Sequence, residues 1–156
     1  MLIRKYKDKD CLKLMELFME TVHSINIRDY SLEEIEAWAP VNYIELNYSR
    51  WKKSLKENYT FIAILNNKIV GFIDLNSTGY LDRLFIHKDY QNQGVASALL
   101  NQVLSLSRTL NLTTITTEAS ITAKPFFEKY GFIEIKKQKV ERASIYLTNY
   151  LMKKKL

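Results

Sequence analysis

The sequence predicts one α/β domain over residues 1–156, on the strength of three observations. Stretches with the three-to-four-residue apolar period of helices alternate with short β-rich runs along the whole chain. No internal repeat, low-complexity tract or linker rich in Pro, Gly or Ser divides it. Its 156 residues are 47% hydrophobic and 26% charged, which suits an ordinary globular domain and excludes a disordered or collagen-like chain.

Leu2 to Tyr6 reads as a short strand, after which Asp8 or Asp10 can cap a helix that carries Cys11, Leu14, Phe18, Val22 and Ile25 on one stripe. Ser31 and Glu34 have the capping-box spacing and open a short second helix that ends by Pro40. Asn42 to Lys56 is harder to assign, although Ile44, Tyr48, Trp51 and Leu55 suit a further helical stripe. From Thr60 the pattern turns to β. Phe61 to Leu65 and Ile69 to Leu75 flank Asn66-Asn67-Lys68, and consecutive asparagines tolerate the positive φ of a hairpin turn. Tyr80 to Ile86 is mostly apolar, as a central strand is. In the long helix that follows, Val95, Leu99, Val103, Leu106 and Leu110 form one stripe and Ala96, Leu100 and Leu104 another, so it is covered on two sides. Leu112 to Thr117 reads as a strand. Thr122 to Tyr130 reads as a short helix that tolerates Pro125 in its first turn and closes at Gly131. Phe132 to Val140 and Ser144 to Met152 form a terminal strand pair. The expected order is β-α-α-β-β-β-α-β-α-β-β.

Several function classes are excluded at this level. No run approaches the roughly 18 apolar residues of a membrane span, and Met1-Leu2-Ile3-Arg4-Lys5-Tyr6-Lys7 lacks the apolar centre of a signal peptide. A cytoplasmic protein without a membrane partner is expected. A single cysteine, Cys11, and two separated histidines, His23 and His87, argue against a disulfide or a metal site, so the chemistry is expected to be metal-free. Lys and Arg number 23 against 17 Asp and Glu, a net +6, which attracts anions, whether nucleic acid or a phosphate-bearing cofactor. The basic residues are dispersed apart from Lys52-Lys53, Lys136-Lys137 and Lys153-Lys154-Lys155, and no reader motif accompanies them, so nucleic acid is not the expected partner.

The informative segment is Leu84-Phe85-Ile86 followed by Gln91-Asn92-Gln93-Gly94-Val95-Ala96, a strand leading through a polar loop into a helix. Amides at a helix start lack intrahelical partners and carry the positive end of the dipole, so they suit a pyrophosphate, and Gly94 lets it come close. Gln91 to Ala96 matches Gln/Arg-x-x-Gly-x-Gly/Ala, and Ser120 to Phe132 matches Asn-x-x-Ala-x-x-Phe-Tyr-x-x-x-Gly-Phe with two departures, Ser120 and Phe127. With these motifs the chain resembles the GNAT superfamily of acyl-CoA-dependent N-acyltransferases. Within it, His23, Tyr30-Ser31, Ala37-Trp38-Ala39-Pro40, Glu118 to Phe127 and Leu147 to Tyr150 look most like a bacterial YafP-like group.

The resemblance implies a mixed, mostly antiparallel sheet with helices on both faces, whose strands Tyr80 to Ile86 and Leu112 to Thr117 splay apart to admit acetyl-CoA. It implies that backbone groups of Leu84, Phe85 and Ile86 bond the pantetheine like an added strand. The amides of Gln93 to Ser97 would hold the pyrophosphate, with Ser120, Ala123, Phe126 and Phe127 around the pantetheine arm. Phe126 and Phe127 also have the spacing of plain core aromatics. The expected reaction is direct transfer of an acetyl group to a primary amine of a small molecule or peptide, in a ternary complex. A lysine-like amine is neutral in only about one molecule in 10³ to 10⁴ at pH 7, so a proton acceptor is needed. Asp82 and Glu118, one on each bordering strand, are the two candidates, with Asp74 and His23 behind them. Phe127 lacks the hydroxyl that many relatives use to protonate the departing thiolate, which leaves Tyr130 as a candidate acid. His23, Tyr30 and Trp38 are candidate acceptor contacts. A non-catalytic acyl-CoA-binding or sensing domain is the alternative motivated by Phe127, and a homodimer is compatible with either.

Overall fold

Short turns and amphipathic helices build one sheet. In the computed structural model, which describes all 156 residues, the elements are β1 (Leu2–Lys5), α1 (Cys11–Ser24), α2 (Leu32–Trp38), α3 (Tyr43–Glu57), β2 (Tyr59–Leu65), β3 (Lys68–Leu75), β4 (Tyr80–Ile86), α4 (Val95–Thr109), β5 (Thr114–Ser120), α5 (Lys124–Lys129), β6 (Ile133–Arg142) and β7 (Ile145–Lys155). The seven strands lie in the order β1-β2-β3-β4-β5-β7-β6. All neighbours are antiparallel except β4 and β5, which run parallel. Asn66 and Asn67 take positive φ of 53° and 59° and close the β2–β3 hairpin. Ala143 and Ser144 do the same for β6–β7 at 47° and 65°, with no turn residue in the sequence to announce it.

The sheet separates two cores. On one face Val95, Leu99, Leu100 and Val103 of α4 and Phe127 of α5 pack against Ile73, Leu81, Ile115 and Met152. On the other, Leu14, Phe18 and Val22 of α1, Ile35 of α2 and Trp51 and Leu55 of α3 pack against Ile62, Phe72 and Leu147. Each fully buried side chain of this size contributes about 1.5–3 kcal/mol. Gly71 lies under α4: a Cβ there would come within 2.8 Å of Ile86 Cδ1 and 3.1 Å of Val95 Cγ1, so the helix rests directly on the β3 backbone. No helix is long and apolar enough to cross a membrane.

Four local expectations are corrected. Three helices, not two, separate β1 from β2, because Tyr43–Glu57 is fully helical; Asn42 and Glu45 have the spacing of a helix start, although the Asn42 side chain makes no cap bond. Asp10 stands at the N-cap of α1 without capping it. Its carboxylate instead takes both Arg4 guanidinium nitrogens at 2.9 Å and the Lys7 amide at 2.8 Å. β5 runs on to Ser120, which puts Glu118 and Ser120 inside the strand. The last strand does not end at Met152: Lys153, Lys154 and Lys155 continue it opposite Thr116, Ile115 and Thr114.

Candidate active site

β4 and β5 stay side by side for only two residue pairs, Tyr80 with Thr116 and Leu81 with Thr117. Thr117 Oγ1 donates to the Leu81 carbonyl at 2.9 Å, and past that point the strands part. A bulge marks the divergence. On the β3 side Asp74 stands opposite Arg83 but Leu75 opposite Leu81, so Asp82 is the extra residue of β4. A bulge bends its strand and re-aims the side chain it carries. The wedge between the parted strands opens into a cleft of about 930 Å³.

The β4 wall of the wedge offers backbone groups in alternation. The His87 amide donates to Val70 on β3 at 2.8 Å, so Phe85, opposite Phe72, also turns its backbone toward β3. Leu84 and Ile86 turn theirs into the cleft. The Ile86 carbonyl is already taken by Thr21 Oγ1 at 2.9 Å and Gln91 Nε2 at 2.7 Å. The amide and carbonyl of Leu84 and the amide of Ile86 remain. The expectation that Phe85 offers its backbone is therefore corrected: strand alternation aims it at β3, and its ring instead packs at 5.0 Å from Phe18.

At the start of α4 Asn92 and Gly94 have positive φ, 58° and 82°, which draws the loop tight before the helix. The first helical bond is Ala98 amide to Gly94 carbonyl at 3.1 Å, and none of the amides from Gln91 to Ser97 donates to a protein acceptor. A Cβ built on Gly94 meets nothing within 4 Å. Free donors, a helix dipole and open space coincide there, as an anion requires. Gln91 takes a different part: its side chain reaches back to the Ile86 carbonyl and staples the loop to β4. Gln93 is exposed and does not line the cleft; its side chain reaches back to the Asp89 carbonyl at 3.4 Å.

The other end of the cleft holds the charged groups. Glu118 is engaged at both oxygens, by the Tyr80 hydroxyl and by Gln138 Nε2, each at 2.9 Å. Burial first, and Glu118 second, push the Tyr80 phenol up from its ordinary value. Asp82 accepts from Arg83 Nη2 at 3.0 Å through Oδ2 only. Arg83 is almost fully buried: it donates to Ser54 Oγ, lies 4.6 Å over the Trp51 ring and stands 3.6 Å from Asp74. Asp74 is fully buried away from the cleft, where desolvation lifts its carboxyl to about 6 despite Arg83 and Asn58.

Residues 26–155 match the family model described as an acetyltransferase (GNAT) domain. The chain belongs to the GNAT acetyltransferases. It is 39% identical over 153 residues to the N-acetyltransferase YafP of Escherichia coli, covering 98% of this chain and 95% of that one. The N-acetyltransferase ycf52 of Pyropia yezoensis is 26% identical, over 81% of this chain and 77% of its own. Among solved structures, a GCN5-related N-acetyltransferase from Rhodopseudomonas palustris superposes with a TM-score of 0.93 at 28% identity, over 99% of this chain and 95% of that one. The PaiA N-acetyltransferase of Thermoplasma acidophilum, solved in complex with coenzyme A, gives 0.72 at 22% identity, over 99% and 98%, and shares the fold.

Within this GNAT cleft the expected residues fall into two groups. Val95, Ala96, Ser97, Ser120, Ala123, Phe126 and Phe127 line it, as do Asp82, Glu118, Tyr130, Tyr30 and Trp38. Ser120 Oγ accepts from the Ala123 amide at 3.0 Å and so caps the turn into α5. Phe127 is buried against Phe132 at 5.0 Å. Tyr130 hydrogen-bonds Ser97 Oγ, which ties its hydroxyl to the first turn of α4. Tyr30 is not free to meet an acceptor through its hydroxyl, which donates to the Thr148 carbonyl at 2.6 Å and accepts from the Ile121 amide at 2.9 Å; burial pushes it up to about 12. His23 lies outside the lining, its Nε2 2.7 Å from the Ala39 carbonyl on the exposed side of α1. The pairing of Arg83 with Asp82 is the one that adjacency in the sequence suggests, but its second carboxylate Asp74 and the residues Thr21 and Thr117 were passed over, their partners lying between nine and 65 residues away in the chain. No group of three or more His, Cys, Asp or Glu is placed to hold a metal ion.

Proposed function

We propose that the protein transfers the acetyl group of acetyl-CoA directly to a primary amine within a ternary complex. The observation that carries this reading is the continuity of one cleft: unpaired backbone groups of Leu84 and Ile86 in the wedge, unbonded amides from Gln91 to Ser97 at one end and Asp82 and Glu118 at the other. The wedge suits the amides of a pantetheine arm, and the α4 start suits a pyrophosphate. The acceptor nitrogen attacks the thioester carbonyl, a C–N bond forms as the C–S bond breaks, and the thiolate takes a proton from solvent. An ammonium acceptor surrenders one proton before attack and one after it. Asp82 is assigned to this duty because Arg83 occupies only Oδ2, leaving Oδ1 open to the amine or to a water carrying its proton. Glu118, engaged at both oxygens, orients Tyr80 and Gln138 beside it. Cys11, the first residue of α1, is fully buried outside the cleft lining and takes no part.

Gly94→Glu tests the cofactor end. No atom within 4 Å blocks the new side chain, but the positive φ of Gly94 strains it by about 1–2 kcal/mol, so circular dichroism first checks that the variant is folded. The carboxylate repels a pyrophosphate, and calorimetry is expected to find acetyl-CoA binding weakened at least about a hundredfold. Unchanged affinity in a folded variant would overturn the assignment. A second reading, a binding or sensing domain without turnover, is favoured by Phe127 and by the Ser97 bond of Tyr130, which leave no free phenol in α5. Release of CoA thiol in the presence of amines separates the two.

A further inference from the structure

The cleft sorts its charges. Its carboxylates, Asp82 and Glu118, stand on β4 and β5, whereas two further guanidiniums line the same cleft from α3 and from the end of β6. Neither has an acidic partner. Arg50 donates to Asn47 Oδ1 at 2.9 Å and to the Tyr43 hydroxyl at 3.3 Å, both neutral, and Arg142 donates only to the Glu141 carbonyl at 2.9 Å. Arg4 is paired with Asp10 and Arg83 with Asp74 and Asp82, while Arg28 and Arg108, unpaired like Arg50 and Arg142, do not line the cleft. Half-buried Trp38 and Tyr43 give the same part of the cleft an apolar wall, with Trp38 packed at 5.6 Å from Tyr30 and Tyr43 at 5.1 Å from Phe18.

We propose that the acceptor is a zwitterion of the amino-acid type, whose amine meets Asp82 while its carboxylate is met by Arg50 and Arg142 and its apolar body rests on Trp38 and Tyr43. This rests on the acetyl-transfer reading. A guanidinium binds a carboxylate through charge-assisted, planar hydrogen bonds. A simple monoamine leaves both arginines unanswered, and a polyamine brings further cations against them. The anion therefore discriminates among acceptors that share the same reactive amine.

The test compares kcat/KM, read as CoA thiol release, for L-leucine, L-phenylalanine and L-tryptophan, for their carboxamides and for spermidine. The amine of a carboxamide is less basic and more abundant as free base, so intrinsic reactivity favours it over the acid. The free acids are nevertheless expected to exceed the carboxamides by about tenfold or more, and Arg50→Gln and Arg142→Gln each to bring the ratio toward one through KM. Carboxamides or spermidine used as well as the acids, or a ratio that neither substitution moves, would overturn the proposal. If acetyl-CoA binds but no amine is acetylated, the transfer reading itself fails. Calorimetry of L-phenylalanine and its carboxamide with the CoA-bound protein then decides this inference separately: preference for the acid upholds it, and no preference or no binding sinks it.

Discussion

Arg83 joins two carboxylates of unlike surroundings: its Nη2 donates to Asp82 at the cleft at 3.0 Å, and its Nη1 stands 3.6 Å from Asp74, which is fully buried behind it. One guanidinium thus serves an aspartate on a bulge and an aspartate in the regular part of β3. Asp74 Oδ1 and Arg83 Nη1 are both buried without a hydrogen-bond partner, so the inner pair is held by charge more than by geometry. Buried pairs of that kind cost desolvation that their attraction only partly offsets.

That cost has a sign in pH. Burial lifts Asp74 from 3.8 to about 6, so the folded chain binds this proton more tightly than the unfolded one. The stability it contributes is complete below pH 3.8 and is lost as pH rises through about 6. The difference corresponds to about 3 kcal/mol. Asp74→Asn removes the titration, so its stability relative to wild type should rise by about that amount between pH 3.5 and pH 8, measured by chemical denaturation. A relative stability that stays flat across that range would refute the origin assigned to the shift.

The two carboxylates of the cleft should behave differently. Asp82→Asn is expected to slow acetyl transfer about 10² to 10³-fold near pH 7, with recovery as pH approaches the pKa of the acceptor amine. Glu118→Gln keeps an oxygen for Tyr80 and should cost about tenfold, without that recovery. Full pH–rate profiles of both variants decide the matter, and a larger, pH-dependent loss at Glu118 would exchange their roles.

Tyr130→Phe removes one hydrogen bond to Ser97 and leaves the ring, 4.9 Å from Phe126, in place. About 1 kcal/mol of stability and less than about threefold in rate should be lost. A hundredfold fall in kcat would instead make Tyr130 the acid that serves the thiolate.

How much of this was readable in the chain depended on the range of each interaction. The free amides at the start of α4 were legible because Gln91 to Ala96 is a contiguous motif whose geometry is local to a helix start. The proton-handling end was only half legible. Asp82 and Glu118 were identifiable as residues on bordering strands, yet the difference between them comes from a one-residue slip against β3 and from Gln138, twenty residues beyond Glu118. Tyr30 and Trp38 read as acceptor contacts in an aromatic segment, but the fate of the Tyr30 hydroxyl was decided by Thr148, 118 residues away. His23 lies outside the cleft for a similar reason: its partner Ala39 is 16 residues away, and nothing in a helical stripe says which exposed residue faces a cleft formed by other elements.

The most direct test of the central claim is a single-turnover experiment with enzyme in excess over acetyl-CoA, following free CoA thiol and the mass of the intact protein with and without an acceptor amine. Direct transfer in the β4–β5 cleft predicts thiol release that depends on the amine, protein mass unchanged throughout, and the same behaviour in Cys11→Ala. Release without amine accompanied by an acetylated protein, or no release with any amine although acetyl-CoA is bound, would contradict it.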